Sequence, residues 1–236
     1  MRNKLFAIVL FCAAALFALS ACTVGVVRSE SRKVSDFSSI AIDSFGEFHI
    51  RQGEEESLTI EGPNNYLRNI TTEVVEGVLH IRSERGFVGN TLQRVVYNLT
   101  VKDLNNISLS GAGSIDMPSL DTDALDISLN GAGSIRINSL NAEFLSAVLN
   151  SAGSINVAGN VTTQNIVLNG VGSYDGDDLC SSEATVVVSG AGSAEIWAVD
   201  VLSVTISGVG SVNYYGYPTL SQSITGLGSV NSRGER

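Results

Sequence analysis

Three groups of residues have the types and spacing for chemistry. Asp121, Asp123 and Asp126 could supply paired carboxylates. Such pairs cleave glycosides when a cleft keeps one carboxyl protonated and other groups orient the sugar. No flanking bases or aromatics accompany these three, and Asp121-Thr122-Asp123 after Leu120 reads as a turn. Asp175-Gly176-Asp177-Asp178 offers hard oxygen ligands of the kind calcium takes, although a solvated acidic turn accounts for the same residues. Trp197, Tyr214, Tyr215 and Tyr217 gather towards the C-terminus. Aromatic rings stack on sugars or anchor protein contacts, and they also cap the open end of a stacked fold.

Other candidates are weaker. His49 and His80 alternate with apolar neighbours, which turns them outward, and two histidines are too few for a His-based metal site. Cys180 has no His or second Cys nearby and reads as a passive thiol. Glu54-Glu55-Glu56 after Gly53 reads as a solvated hairpin tip. No catalytic residue, metal or cofactor is expected.

These groups hang on a repeat. A pentad of the form Ser/Asn-Gly-x-Gly-Ser begins at Ser110, Asn130, Asn150, Asn169, Ser189, Ser207 and Thr225. Its starts step by 20, 20, 19, 20, 18 and 18 residues. A fixed period near 20 signals stacked coils, each burying its apolar face on the next. Between pentads the pattern alternates, as in Leu125-Asp126-Ile127-Ser128-Leu129, and Leu145, Ala147 and Leu149 take the same places one repeat later. A slip of one residue would turn every such side chain to water, so the register is strongly specified. The Gly-x-Gly suits a bend where the backbone crowds or adopts positive φ. Stacked bends would set the pentad serines in one ladder, with Asn130, Asn150 and Asn169 in another. The fold class is therefore all-β, with a solenoid of parallel strands as the first reading and an antiparallel sandwich or prism of the same period as the second.

The glycines are not a phosphate loop, which needs a following helix and often a Lys. Nor do they fit the calcium nonapeptide repeat. Two residues after each pentad serine stand Asp116, Arg136, Asn156, Asp175, Glu195, Asn213 and Asn231, and an Arg interrupts that row.

Residues 35–106 are less regular but strand-rich. Ser39 to Asp43, Glu47 to Arg51, Leu58 to Ile60, Val78 to Ile81 and Val95 to Leu104 read as strands, and Asn64 to Ile70 as a helical turn. Gly53, Gly62-Pro63, Gly77 and Gly86 punctuate them. Residues 1–21 read as an export signal: a basic start at Arg2 and Lys4, an apolar run from Leu5 to Leu19, and small residues before Cys22. Cys22 then takes the lipid of a bacterial lipoprotein, which anchors the chain to the outer membrane, and residues 22–34 form a polar tether. Residues 35–236 form one domain, with the seven repeats in 107–232.

Losing Arg2 and Lys4 takes the net charge from -10 to -12, with 24 acids against 12 bases. Residues 107–232 hold eleven acids and one base, Arg136. Such a surface repels nucleic acid, so no nucleic-acid partner is expected.

The pentads, the Gly153-Ser154-Ile155-Asn156 run and Phe37-Ser38-Ser39-Ile40-Ala41-Ile42 resemble the head GIN domain family of auto-transporter adhesins. Phe48 to Gly53, Leu58 to Gly62 and Val78 to Ile81 are similar to its pattern too. The resemblance covers about residues 35–232 and implies a right-handed, β-helix-like fold in a bacterial exported protein or lipoprotein. It brings no catalytic residues. No membrane β-barrel is legible in the pattern, so self-translocation does not carry over. Three functions follow for testing: a lipid-anchored adhesin binding a protein or glycan, a structural envelope protein that self-associates through its ends as a homo-oligomer, and an Asp-dependent carbohydrate-active enzyme.

Overall fold

The computed structural model describes residues 27–84 and 94–236, so the expected export signal, Cys22 and Gly86 lie outside the described residues. In chain order the strands are β1 (Val27–Arg32), β2 (Ser39–Asp43), β3 (Phe45–Gln52), β4 (Ser57–Pro63), β5 (Ile70–Val75), β6 (Val78–Ser83), β7 (Val96–Val101), β8 (Asn106–Leu109), β9 (Ala112–Met117) and β10 (Leu120–Asp121). They continue as β11 (Ala124–Leu129), β12 (Ala132–Leu149), β13 (Ala152–Leu168), β14 (Val171–Val188), β15 (Ala191–Ile206), β16 (Val209–Tyr215), β17 (Thr219–Ile224) and β18 (Leu227–Ser232). One helical turn, α1 (Asn64–Leu67), follows β4.

From β8 onward every pairing is parallel, which decides for the solenoid over the antiparallel sandwich. Each residue sits over its equivalent one repeat on. The seven pentad serines, Ser114 to Ser229, are stacked in a single row. The asparagine ladder forms as well: Asn150 Nδ2 donates to Asn130 Oδ1 at 2.7 Å, and Asn169 Nδ2 to Asn150 Oδ1 at 2.8 Å.

The pentad glycines answer to crowding and not to φ. None of them is among the positive-φ glycines, which are Gly46, Gly77, Gly159, Gly216 and Gly234. Instead, a Cβ on Gly133 would lie 2.1 Å from the Gly113 carbonyl oxygen one coil away, and a Cβ on Gly172 would lie 2.3 Å from that of Gly153. Side chains are excluded there because neighbouring coils touch backbone to backbone.

Inside, the alternating residues form continuous apolar rows. Leu129, Leu149, Leu168, Val188 and Ile206 lie in register and are fully or almost fully buried. Burying such a side chain contributes about 1.5–3 kcal/mol. One row departs from this pattern. Leu125 and Leu145 are followed by Gln164, which is 0% exposed, and then by Ala184 and Leu202. Gln164 is satisfied: its Oε1 accepts from Tyr174 Oη at 3.0 Å, and its Nε2 donates to Ser181 Oγ at 2.8 Å. Ser181 Oγ in turn donates to the Trp197 carbonyl at 2.9 Å. Room for the Tyr174 ring comes from Ala194 beside it and from Gly176, whose Cβ would strike that ring at 2.6 Å.

The N-terminal end is closed differently. β2 and β3 form the coil below β8 and β9, and β6 and β7 the coil below that. There the direction reverses: β4 pairs antiparallel with β7, β5 with β6, and β1 with β4. Residues 27–32, expected within a polar tether, are thus a strand. An edge strand held by its backbone need show no apolar pattern, and β1 reads Val-Arg-Ser-Glu-Ser-Arg. Arg32 ties it down, donating to the Leu67 carbonyl at 3.1 Å and pairing with Glu30 at 2.8 Å. Residues 70–75, not anticipated beyond the helical turn, form β5. Glu56 is also more than a solvated tip, because its carboxylate accepts from the backbone N–H of Asp36 at 2.7 Å and of Phe37 at 3.3 Å. That bond holds Asp36 at φ 61 where the chain enters β2.

Tyr97 lies at this closed end, stacked on Phe48 with ring centroids 4.1 Å apart and hydrogen-bonded to Ser44 at 2.9 Å. Burial outweighs that hydrogen bond and pushes the Tyr97 phenol up to about 12. An unfolded tyrosine ionises near 10. Between these values the folded chain holds a proton that the unfolded chain has released, so stability falls as pH rises through that window. We expect Tyr97 to remove about 2–3 kcal/mol between pH 10 and 12. Denaturant titrations across that range should show the loss; burial also pushes the Tyr174 phenol up, so Tyr97→Phe should remove only its own share, and Tyr97→Phe/Tyr174→Phe should flatten the dependence.

Candidate binding face

The strand after each pentad turns alternate residues outward, and this face gathers the polar groups. Asp116, Arg136, Asn156, Asp175, Glu195, Asn213 and Asn231 stack in register. The row continues past Asp116 through His49, Asn98 and Thr59. At about 4.8 Å per rung it runs nearly the length of the rod. Several rungs bond to each other: Asn156 Nδ2 donates to Asp175 Oδ2 at 2.8 Å, Asn213 Nδ2 to Glu195 Oε1 at 3.4 Å, and Asn231 Nδ2 to Asn213 Oδ1 at 3.2 Å. The two adjacent carboxylates, Asp175 and Glu195, thus each have an amide on the far side, Asn156 and Asn213.

Beside this row, towards the C-terminal end, lies the densest group of functional side chains. Residues 177–179 have no partner in β15, because the register jumps from Gly176↔Ile196 to Cys180↔Trp197. The bulge brings Asp177 round to Asp175 and Glu195, and ligand-type oxygens of the three lie within 4.8 Å of one another. Asp175 Oδ1 is buried without a hydrogen-bond partner. Burial, and then the Asp175 carboxylate, push Asp177 above the usual carboxylate range, while the Arg236 guanidinium pulls it down. Arg236 pairs with Asp177 at 2.6 Å, contacts Asp178 as well, and stands 5.0 Å from the Tyr215 ring. Three carboxylates suit a hard cation in type, but calcium takes six to eight oxygens, and Arg236 already brings positive charge to the spot.

The aromatic residues divide. Trp197 and Tyr215 are in register with each other, two residues beyond Glu195 and Asn213 on the same outward face, and both are half-buried. Tyr214 follows Ile196 in the inward row and packs against the core. Tyr217 lies past the end of β16 and is 77% exposed. Only Trp197 and Tyr215 therefore form a platform, and the acidic group beside it was not anticipated as part of the same site. The bulge hid it: spacing alone places Asp175 but not Asp177 beside Glu195.

The other candidates stay apart. Asp121, Asp123 and Asp126 are exposed and solvated, and Asp121 is engaged through its backbone, its N–H bonded to Gln52 Oε1 at 2.9 Å and its carbonyl to Gln52 Nε2 at 3.0 Å. His49 is exposed in the polar row, His80 is half-buried on β6, and Cys180 is a half-buried free thiol in register with Trp197. No helix among the described residues is long and apolar enough to cross a membrane.

Solved structures of other bacterial proteins share the fold. A putative adhesin from Bacteroides fragilis superposes with a TM-score of 0.83 at 25% identity, covering 88% of this chain and 97% of its own. A protein described as a putative lipid binding protein from Parabacteroides distasonis gives 0.68 at 24%, over 89% and 97%. A putative adhesin from the same organism gives 0.70 at 21%, over 89% and 98%. No curated protein matches the chain. Residues 36–218 match the family described as "Putative auto-transporter adhesin, head GIN domain". With the stacked pentads, the parallel coils and this match across most of its length, the chain belongs to the head GIN domain family.

Proposed function

We propose that the protein is a non-enzymatic adhesin of the bacterial cell envelope, whose rigid solenoid presents one long polar face to a protein or glycan. The observation that carries this reading is the convergence on that face of the unbroken polar row and the Trp197–Tyr215 platform. Evenly spaced amides and carboxylates hydrogen-bond to hydroxyls, and the two rings supply apolar contact area at low entropic cost. The family description and the Bacteroides fragilis structure support an adhesive role. The acidic surface disfavours nucleic acid as the partner.

A glycan array and a panel of matrix proteins, probed with the wild-type chain and a Trp197→Ala/Tyr215→Ala variant, test this. Binding should fall at least about tenfold in the variant, since interface aromatics commonly carry 1–2 kcal/mol or more each, with the melting temperature little changed. A partner bound equally by both proteins removes the platform from the account.

The proposal includes a lipid on Cys22, holding the chain to the outer membrane from its N-terminal end. Palmitate labelling checks it: wild type should take up label, Cys22→Ala should not, and label retained by the variant excludes this anchor.

A further inference from the structure

The two ends of the solenoid differ. At the N-terminal end the parallel stack is covered by antiparallel β1, β4 and β5 with α1, and its outermost strand carries Arg28, Glu30 and Arg32. Charged edge strands of this kind block pairing with another chain. At the C-terminal end, among the described residues, no antiparallel strand or helix covers the stack, and charged residues, Arg233, Glu235 and Arg236, come only after the last strand. β17 pairs with β15 and β18 with β16, and among the described residues their outer edges have no partner strand. From Tyr217 to Ser232 there is no charged residue, in a chain of net charge -10.

The interior also comes to the surface there. Leu220, Gln222 and Ile224 stand over the buried Leu202, Val204 and Ile206, and Val230 over Val212. Ile224 is 40% exposed and Leu227 77%. The tail leaves this surface uncovered. Arg233 N–H bonds back to the Tyr214 carbonyl at 2.8 Å, Gly216 N–H to the Gly234 carbonyl at 2.9 Å, and Arg236 reaches Asp177 on the side of the rod.

We propose that this neutral C-terminal end pairs with the same end of a second copy, strand edge to strand edge, in a closed two-fold dimer. The outer strands of the N-terminal end carry charges, Arg28, Glu30 and Arg32 on β1 and Glu73 on β5, which disfavour pairing with the neutral end, so head-to-tail growth is disfavoured and the assembly stops at two. A two-fold axis runs identical strands antiparallel, the better-bonded arrangement for a ladder. Charge selects the same contact: the acidic coils of two copies repel side by side, and the ends do not. The pair sets the two N-termini at its opposite extremes. With the N-terminal anchor proposed above it joins two surfaces; the pairing itself does not depend on that anchor.

Light scattering on the full chain in detergent tests this. Wild type should give twice the protein mass of one chain at about 50 μM and dissociate on dilution, as mass action requires. Gln222→Lys/Leu227→Lys changes two exposed residues of the terminal coil and should raise the dissociation constant at least a hundredfold, with an unchanged circular-dichroism spectrum. Val75→Lys, on the exposed edge of the opposite end, should leave the dimer intact. A monomer at every concentration, a series of larger oligomers, or equal dissociation by Val75→Lys overturns the proposal. A dimer whose disruption leaves partner binding unchanged separates this pairing from the adhesin reading.

Discussion

Gly133→Ala should lower the stability of this chain by about 3 kcal/mol, the upper part of the range for overpacked sites. The new Cβ would lie 2.1 Å from the Gly113 carbonyl oxygen. That contact is backbone on backbone, so no side chain can swing aside; the coils must part, and parting them strains the ladder on both sides of the corner. The first glycine of the pentad should behave differently. Its equivalent in the third repeat is Ser151, which carries a Cβ and donates its hydroxyl to the Leu129 carbonyl at 3.2 Å and to the Gly131 carbonyl. A Cβ on Gly131 would lie 1.9 Å from the Gly111 carbonyl oxygen, but Ser151 shows that this position can shift to admit one and gain a hydrogen bond, so we expect Gly131→Ser to cost about 1 kcal/mol. Thermal melts of the two variants should separate them clearly, by about 5 °C in melting temperature for a domain of this size. Equal losses would mean that the first position of the pentad cannot make room for a side chain as it does at Ser151.

The second large effect concerns the polar group in the core. Gln164→Leu restores the leucine row set by Leu125 and Leu145, yet it should destabilise the fold by about 2 kcal/mol, because it strands the buried Tyr174 hydroxyl. Ser181 keeps its bond to the Trp197 carbonyl, so the loss centres on Tyr174. Adding Tyr174→Phe should recover most of it, since removing both partners is far cheaper than removing one. A double-mutant cycle with a coupling near zero would contradict this.

The pentads and the alternating apolar residues placed every coil of the second half correctly, because period and phase are properties of sequence. The same phase also pointed inward at Gln164: Ile166 and Leu168 face the core, and two residues back is Gln164. Polarity hid it, since its partners Tyr174 and Ser181 lie elsewhere in the chain. β1 was illegible for the opposite reason. Its backbone holds it to β4 while its side chains face solvent, so no apolar alternation marks it. The candidate site was half legible. Trp197 and Tyr215 stood out by type, but Tyr214 alternates with them and goes into the core. Asp177 joins Asp175 and Glu195 only through a bulge that no repeat predicts.

An adhesin must present this face to a partner outside the cell. Protease shaving of intact cells tests it most directly, following this chain against a periplasmic control. The chain should be lost while the control survives. Survival of the chain until the outer membrane is opened would place the polar face in the periplasm and contradict the adhesin reading.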